Sequence, residues 1–351
     1  MEHQPVSLLI VIGSAAASCL LTYVIWKLAL SRGLLDVPNE RSSHQVPTPR
    51  GGGLAIVVVT AASFACLAAI HRLDGDLLAA LTGGLTVAAI GLIDDRRPLP
   101  AGVRLAVHFG AALWALAWLG GLPALRFGDQ VISFGAAGFV LGALGIVWVM
   151  NLFNFMDGID GIAATEATFV SWAGALLASM SPVSSQVPWA AVPLGTACLG
   201  FLRWNWPPAR IFMGDVGSGY LGYVIAVLAL AATRETPAAL WAWLILGGVF
   251  FVDATATLLR RLLRGERVHE AHRSHAYQWL ARRWGSHAKV TWAVLSVNVL
   301  WLLPCAVFAM RRPGFAAATV IFALAPLVLF AVVASGRREP KHGQHASGSR
   351  P

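Results

Sequence analysis

The sequence predicts an all-α, polytopic membrane protein with about eleven transmembrane helices. Of the 351 residues, 57% are hydrophobic and only 12% are charged, and the mean hydropathy is +0.67, more than the core of a soluble domain requires. A membrane-spanning helix needs roughly 20 mostly apolar residues. Runs of about that length recur along the chain, at 7–30, 53–70, 77–93, 104–119, 131–150, 162–180, 188–203, 216–232, 238–259, 290–310 and 314–335.

The two ends of the chain are expected to differ. No basic region precedes the first apolar run and no small-residue cleavage site follows it, so we expect it to remain as the first span. Residues 1–335 are then expected to form a single transmembrane domain, whereas the polar, Gly/Ser-rich tail at 336–351 is expected to be disordered. The four cysteines lie far apart within apolar runs, which favours packing over disulfides or a metal cluster.

The formal charge of +9 could suggest a nucleic-acid partner, but its distribution indicates topology instead. Twenty of the 26 basic residues fall in the loops after the odd-numbered spans, against five on the opposite side, with Lys27 near the end of span 1. Basic loops face the cytoplasm. The prediction is an external N-terminus, a cytoplasmic C-terminus and no nucleic-acid partner. Most dense polar clusters lie on the cytoplasmic side.

The first of these clusters is GLIDDRRPLPAGVR at 91–104. Asp94 and Asp95 end an apolar helix, where the partial negative charge of the helix terminus makes two carboxylates unfavourable without a nearby cation. Arg96 and Arg97 would neutralise a merely solvated helix end. Arg104 begins the next span, either as a topological signal or to hold a phosphate at headgroup depth.

The second cluster, NLFNFMDGIDGIA at 151–163, is the most informative. Asn151, Asn154, Asp157 and Asp160 recur every third residue, which spreads them along one polar face of a helical segment. Polar groups at membrane depth are costly and usually line a cavity or contact one another. Capping of the sixth span by Asp160 would explain only one of the four, so a functional role is favoured.

The third cluster is RIFMGDVGSGYLG at 210–222, with Asp215 at the entrance to the eighth span. Taken alone, an aspartate at this position is an ordinary helix cap. Together with Asn154 and the other acidic clusters on the same membrane face, Asp215 supplies a hard oxygen ligand of the kind that Mg²⁺ prefers.

The fourth cluster, VHEAHRSHAYQ at 268–278, lies in the largest internal loop. His269, His272 and His275 are spaced by three residues, which on a helix confines them to about a third of the circumference. Zinc binding and a solvated loop are alternatives. The embedded Arg273 disfavours a cation and favours an anion such as pyrophosphate.

In this order and between these spans, the four clusters resemble the polyprenyl-phosphate N-acetylhexosamine-1-phosphate transferase family, of the glycosyltransferase family 4 type, over roughly residues 30–280. The chain is most similar to the O-antigen-initiating branch, through LDVPNERSSHQVPTPRGGG at 35–53 and HRSHAYQ at 272–278. That branch transfers N-acetylfucosamine, N-acetylquinovosamine or related 6-deoxy sugar phosphates to undecaprenyl phosphate. The late loop lacks the adjacent histidines of the muramoyl-pentapeptide enzymes, which argues against their substrate, and a relative acting on UDP-GlcNAc is an alternative.

The resemblance also implies roles for individual residues. Asp215 would ligate Mg²⁺, or Mn²⁺ in its place, with Asn154 as second ligand, and Asp157 would support the metal or the polar network. Asp160 and Phe212 would contact the uracil. The phosphate-binding and other substrate-binding residues would be His272, Arg273 and His275 for the sugar diphosphate, Arg104 for the lipid phosphate, and Arg50.

The implied reaction is attack by a lipid phosphate oxygen on the β-phosphorus of a UDP-sugar, with release of UMP. Asp94 or Asp95 would act as base, although a phosphate whose second pKa is near 6 is already largely ionised at pH 7, so orientation or metal organisation is the alternative role. The expected partners are undecaprenyl phosphate, a UDP-N-acetyl sugar, the lipid bilayer of the bacterial inner membrane and, as an open alternative, a second copy of the chain.

Two rival classes of function are an ion-coupled transporter and a structural scaffold. A transporter is expected to place its polar groups near the bilayer midplane, on paired broken helices. The sequence places them at one face instead. A scaffold gives no reason for four acidic or histidine clusters to share that face.

Overall fold

A computed structural model of the chain describes residues 4–38, 46–181, 183–266 and 274–336, and within them the protein is almost entirely helical. The prediction of an all-α membrane protein is confirmed. The helices are α1 (Gln4–Ser31), α2 (Gly53–Ala69), α3 (Gly75–Asp94), α4 (Ala101–Leu119), α5 (Ala137–Met156), α6 (Ile162–Ser179), α7 (Val187–Asn205), α8 (Asp215–Glu235), α9 (Ala239–Leu246), α10 (Gly248–Leu263), α11 (Ala276–Trp284), α12 (His287–Val297), α13 (Leu303–Arg311) and α14 (Ala316–Gly336).

Every predicted span overlaps a helix, but the count of eleven is approximate. In the described part of the chain, eight helical segments are long and apolar enough to cross a membrane, or up to nine if α9 and α10, which meet at an angle of 75°, are one span. Helix α2 has only 17 residues. The protein is an integral membrane protein.

Helix α5 begins six residues later than its predicted span at 131–150. The preceding residues form a hairpin instead, in which β3 (Leu125–Phe127) pairs antiparallel with β4 (Gln130–Ile132). The helix also ends six residues later than predicted, at Met156. Asn151 and Asn154 therefore lie inside its last turns rather than in the loop after it.

Helix α8 is the buried centre of the bundle, and its N-terminus is approached by two glycines. A Cβ on Gly91 of α3 would overlap the Asp215 carbonyl, and a Cβ on Gly53 of α2 would overlap the Gly217 Cα atom. Small residues let membrane helices pack backbone against backbone. These contacts bring the N-terminus of α2 and the C-terminal turn of α3 to the first turn of α8.

A short hairpin places Arg50 beside the same turn. Strand β1 (Leu35–Asp36) pairs with β2 (Thr48–Pro49), and the chain then runs along the segment before α8. Phe212 N–H donates to the Pro49 carbonyl at 2.8 Å, and Gly52 N–H donates to the Phe212 carbonyl at 2.9 Å. Because both sides of Arg50 are held by backbone hydrogen bonds, the position of its side chain relative to α8 is well defined.

Helix α6 is joined to the segment that follows α12 by a buried polar pair. Asn298, the first residue of a π-helical segment between α12 and α13, donates to Glu166 Oε2 at 2.5 Å. Both side chains are buried, and within the described residues Glu166 Oε1 and Asn298 Oδ1 have no hydrogen-bond partner. A neutral acid or an amide at position 166 has a hydrogen to donate to Asn298 Oδ1, whereas a carboxylate has none.

We therefore expect Glu166→Gln to unfold in detergent at nearly the temperature of the unmodified protein. Glu166→Ala leaves Asn298 unpaired, and we expect it to cost about 1 kcal/mol or more. The measurement is thermal unfolding of both variants, with a double-mutant cycle to Asn298→Ala to isolate the pair. Equal destabilisation by Gln and Ala would contradict this interpretation.

Candidate active site

The site is built around the carboxylate of Asp215, which lies between two arginines at the N-terminus of α8. Arg50 Nη2 is 2.8 Å from Asp215 Oδ1, and Arg104 Nη1 is 3.5 Å from Asp215 Oδ2. Each arginine also binds a carboxylate at the end of α3. Arg50 Nε is 2.9 Å from Asp95 Oδ1, and Arg104 Nη1 is 2.6 Å from Asp94 Oδ2. The first and third predicted clusters meet in these contacts, together with Arg50, which lies outside all four clusters.

Asp95 holds the start of α8 in place. Its two carboxylate oxygens accept hydrogen bonds from the backbone N–H groups of Asp215 and Val216 at 2.9 and 3.2 Å. Unpaired N–H groups and the positive end of the dipole make a helix N-terminus a natural carboxylate site. The N-cap residue is Gly214, with φ +76° and no side-chain cap hydrogen bond. Asp95 therefore caps α8 from another helix, and Asp215 is not the cap.

Asp94 is held by different partners from those of Asp95. Its Oδ1 accepts the Leu99 N–H at 2.6 Å, and its Oδ2 accepts from Arg104. Arg104 and Arg50 are thus the cations that neutralise the Asp-Asp pair, rather than the adjacent Arg96 and Arg97. The sequence-adjacent arginines lie beyond the helix end and are exposed.

The local electrostatics favour a further cation. Burial raises the pKa of Asp95, although Arg50 and the two backbone amides oppose the shift. Burial also raises the pKa of Asp157 well above its usual range, with Arg50 opposing and Asp215 and Asp95 adding to it. Counted as ionised groups, Asp94, Asp95, Asp157 and Asp215 carry four negative charges against the two positive charges of Arg50 and Arg104. A bound divalent cation would balance that difference and favour the ionised carboxylates.

The oxygen donors suit Mg²⁺. Asn154 lies beside Asp215, close enough to interact with its carboxylate, and its amide nitrogen donates to Ser218 Oγ at 3.1 Å. In the described residues, no group of three or more His, Cys, Asp or Glu side chains is arranged to hold an ion alone. Mg²⁺ commonly binds one or two protein carboxylates and completes its coordination shell with water and phosphate oxygens. The carboxylate of Asp215 and the amide oxygen of Asn154 fit this pattern.

Asp160 lies in a separate part of the site. Its Oδ2 accepts the Ala209 N–H at 3.0 Å and lies 3.3 Å from Nδ1 of His287. The N-cap of α6 is Gly161, with φ +77° and no side-chain cap bond, so Asp160 does not cap that helix. Phe212 follows Ala209 in the same loop, with a partly exposed side chain. His287 was not found by sequence reasoning, because it follows the fourth cluster without a motif of its own.

His275 is buried and is not part of a helix. It precedes α11 in extended conformation, and its Nδ1 lies 3.3 Å from Asp253 Oδ1. The Asp253 carboxylate also accepts the N–H groups of Ala276 and Tyr277 at 2.9 and 3.0 Å. The helical spacing predicted to end at His275 is therefore wrong at that residue. His269, His272 and Arg273 lie outside the described residues.

Asp253 was missed, although a single acidic residue inside the apolar run GVFFVDATATLL was a signal for a buried polar contact. Through Asp253 the start of α11 is fixed to α10. Tyr277 then reaches the second cluster, where its hydroxyl donates to the Phe155 carbonyl at 2.9 Å, and a Cβ on Gly158 would overlap that hydroxyl. The late loop is thus joined to the Asp157 segment.

Comparison with known proteins identifies the family. The sequence model of glycosyl transferase family 4 matches residues 77–233. A decaprenyl-phosphate N-acetylglucosaminephosphotransferase of Mycobacterium leprae is 32% identical over 290 residues, covering 72% of this chain and 71% of the relative. The chain belongs to glycosyl transferase family 4. It is a phosphoglycosyltransferase.

Two further relatives of this family 4 enzyme differ in the sugars that their names state. A probable undecaprenyl-phosphate N-acetylglucosaminyl 1-phosphate transferase of Bacillus subtilis is 28% identical, covering 81% of this chain and 78% of the relative. A phospho-N-acetylmuramoyl-pentapeptide-transferase of Nostoc is 33% identical, covering 72% and 69%. The matched segment 77–233 includes Asp94, Asp95, Arg104, Asn154 and Asp215, whereas Arg50, Asp253, His275 and His287 lie outside it.

Proposed function

We propose that this family 4 enzyme transfers a hexosamine 1-phosphate from a UDP-sugar to a polyprenyl phosphate and releases UMP. The observation that supports this most is the Asp215 carboxylate held between Arg50 and Arg104, with Asn154 beside it, at one end of a membrane helix bundle. Two anionic phosphate groups must meet in the reaction, and such a site combines cationic side chains with oxygen donors for a metal.

The chemistry is a displacement at phosphorus. A lipid phosphate oxygen forms a bond to the β-phosphorus of the donor, the bond from that phosphorus to the oxygen bridging to the α-phosphorus breaks, and UMP leaves with the electron pair. Arg104 binds the acceptor phosphate and Arg50 the donor diphosphate. Asp215 and Asn154 would hold Mg²⁺, which when bound supplies positive charge to the phosphate oxygens.

Asp94 and Asp95 act in this proposal by positioning. Asp94 orients Arg104, and Asp95 holds Arg50 and the first turn of α8 together. A base is not required, because a phosphate monoester is already largely dianionic at pH 7. The contacts of Asp95 with Arg50 and with two backbone amides support positioning rather than proton transfer.

For the sugar we propose an N-acetylated 6-deoxy hexosamine, with undecaprenyl phosphate as acceptor, at the start of O-antigen or related surface-polysaccharide synthesis. The motifs at 35–53 and 272–278 support this branch. UDP-GlcNAc is the second candidate, because two of the relatives are named as N-acetylglucosamine phosphate transferases. The proposed location is a bacterial inner membrane. The charge distribution supports a site on the cytoplasmic face and an external N-terminus.

The test uses membranes containing the full chain, undecaprenyl phosphate, Mg²⁺ and a panel of UDP-N-acetyl sugars, with UMP release as readout. The proposal predicts release that requires both substrates and is fastest with a 6-deoxy sugar. Faster release with UDP-GlcNAc would overturn the sugar assignment alone. No acceptor-dependent release from any sugar would overturn the function.

His287→Ala is expected to raise KM for the UDP-sugar by about three- to tenfold with a smaller change in kcat. The reason is that His287 Nδ1 accepts the Asp160 backbone N–H at 3.4 Å and lies 3.3 Å from the Asp160 carboxylate, which is proposed to contact the uracil. Loss of a contact of this kind costs about 1 kcal/mol. Lys289→Ala, exposed two residues further along α12, is the matched control. A loss confined to kcat, or the same loss in the control, would contradict a nucleoside-positioning role.

A further inference from the structure

A cavity of about 400 Å³ lies beside the site, between the end of α1, the β1–β2 hairpin, the start of α2 and the end of α3. Its wall has an apolar part and a charged part. Leucines and an isoleucine form the apolar part, among them Leu28, Leu54 and Leu92. The charged part consists of three arginines, Arg32, Arg50 and Arg96, and two aspartates, Asp36 and Asp95. The cavity is therefore amphipathic, and its charged part has one more basic than acidic side chain.

Two of the three lining arginines form no ion pair within the described residues. Arg50 binds Asp95 and Asp215. By contrast, neither Arg32 nor Arg96 forms an ion pair with any residue in the part of the chain that the structure describes, and both are exposed. They follow the ends of the apolar helices α1 and α3, at the depth where lipid headgroups lie. Guanidinium groups bind phosphate in a bidentate manner.

The apolar side of the cavity is partly exposed. Leu28, Leu34 and Leu35 line the cavity and are 48%, 41% and 40% exposed. Leucines left exposed next to arginines at a helix end match a ligand that has a charged head and an apolar body. A soluble nucleotide sugar has no apolar body for these leucines to contact.

The lining separates this cavity from the reacting groups. Asp215 and Arg104 do not line it, nor do Asp160 and Phe212. The groups proposed to bind the acceptor phosphate and the uracil therefore lie elsewhere. Only Arg50 and Asp95 are shared between the cavity and the reaction centre.

We propose that this cavity binds an anionic bilayer phospholipid, with the phosphate between Arg32 and Arg96 and the glycerol and first methylenes against the leucines. The volume accommodates a headgroup region, and the remaining chains stay in the bilayer. Binding at this position is independent of which sugar the enzyme transfers. Because Arg50 borders the cavity, the bound headgroup also lies next to the network that holds Asp95 and Asp215.

The test measures phosphatidylglycerol binding to the detergent-solubilised full chain by native mass spectrometry, with phosphatidylcholine as the zwitterionic comparison. The double variant Arg32→Gln/Arg96→Gln is expected to weaken phosphatidylglycerol binding about tenfold or more, since each arginine contributes on the order of 1 kcal/mol near an anionic lipid. Arg97→Gln/Arg264→Gln removes the same charge from exposed positions outside the cavity and is the matched control. Leu54→Trp fills the cavity without changing charge and is expected to weaken binding as well.

Three results would overturn the proposal. Equal weakening in the control pair would indicate a general surface-charge effect. Unchanged phosphatidylglycerol binding in Arg32→Gln/Arg96→Gln would show that these two arginines do not bind the lipid phosphate. A raised KM of Arg32→Gln/Arg96→Gln for polyprenyl phosphate in phosphatidylcholine bilayers, with its phosphatidylglycerol binding unchanged, would assign the cavity to the acceptor lipid instead.

Discussion

Asp215→Asn is expected to lower the rate of UMP release by about 100-fold or more while the protein remains folded. The substitution keeps the shape of the side chain but removes the charge that Arg50 and Arg104 share and that the proposed metal requires. Groups that stabilise developing charge on phosphate contribute several kcal/mol to a transition state. The measurement is kcat with saturating UDP-sugar and polyprenyl phosphate across a series of Mg²⁺ concentrations.

The control for Asp215→Asn is Asp129→Asn, the same change in the β3–β4 hairpin, for which we expect full activity. A readout independent of turnover is the Mg²⁺-dependent rise in unfolding temperature, expected in the unmodified protein and lost in Asp215→Asn. Full turnover in Asp215→Asn would contradict the central role of this carboxylate. A preserved thermal response to Mg²⁺ would contradict its role as a metal ligand.

The second large effect is expected at Asp95, which joins α3 to the start of α8. Asp95→Asn keeps one carbonyl acceptor but cannot serve both amides and Arg50, so we expect kcat to fall at least about tenfold. Leaving buried donors unsatisfied costs about 1–3 kcal/mol each, so the unfolding temperature should also fall. The measurements are initial rates and thermal unfolding of the same preparation.

Gly214→Ala tests the same contact without changing any charge. An added Cβ would overlap the Asp95 carboxylate, and φ +76° at this residue is unfavourable for alanine. We expect a loss of kcat similar to that of Asp95→Asn. Gly110→Ala in α4 is the matched control, because a Cβ added there would meet no atom within 4 Å. Unchanged activity in Gly214→Ala would show that the geometry at Asp95 is not critical.

The helical organisation was predictable because apolar runs of spanning length are a strong signal. The boundary of α5 was not, since VISFG at 131–135 resembles the start of an apolar run although it belongs to a hairpin and turn. The four clusters were identified from polar residues at the ends of apolar runs, where burial is costly. Three of them meet at Asp215, and the fourth is joined to the second through Tyr277.

The partners of the clustered residues were not predictable, because they come from distant parts of the chain. Local reasoning offered Arg96 and Arg97 as the partners of Asp94 and Asp95, and it offered a helix cap as one alternative for Asp215. In the structure, Arg50 is held beside α8 because its neighbours Pro49 and Gly52 form backbone hydrogen bonds with Phe212. The residue that caps α8 is Asp95. Such contacts depend on helix packing, which spacing along one segment does not reveal.

The most direct test of the account follows the phosphorus atom. With a UDP-N-acetyl sugar labelled with ³²P at the β-phosphate, the enzyme and polyprenyl phosphate should place all transferred label in the lipid phase, in a one-to-one ratio with unlabelled UMP. Label recovered in water as free sugar phosphate would indicate hydrolysis. Label retained in UDP-sugar, with both substrates and Mg²⁺ present and folding intact, would contradict transfer at this site.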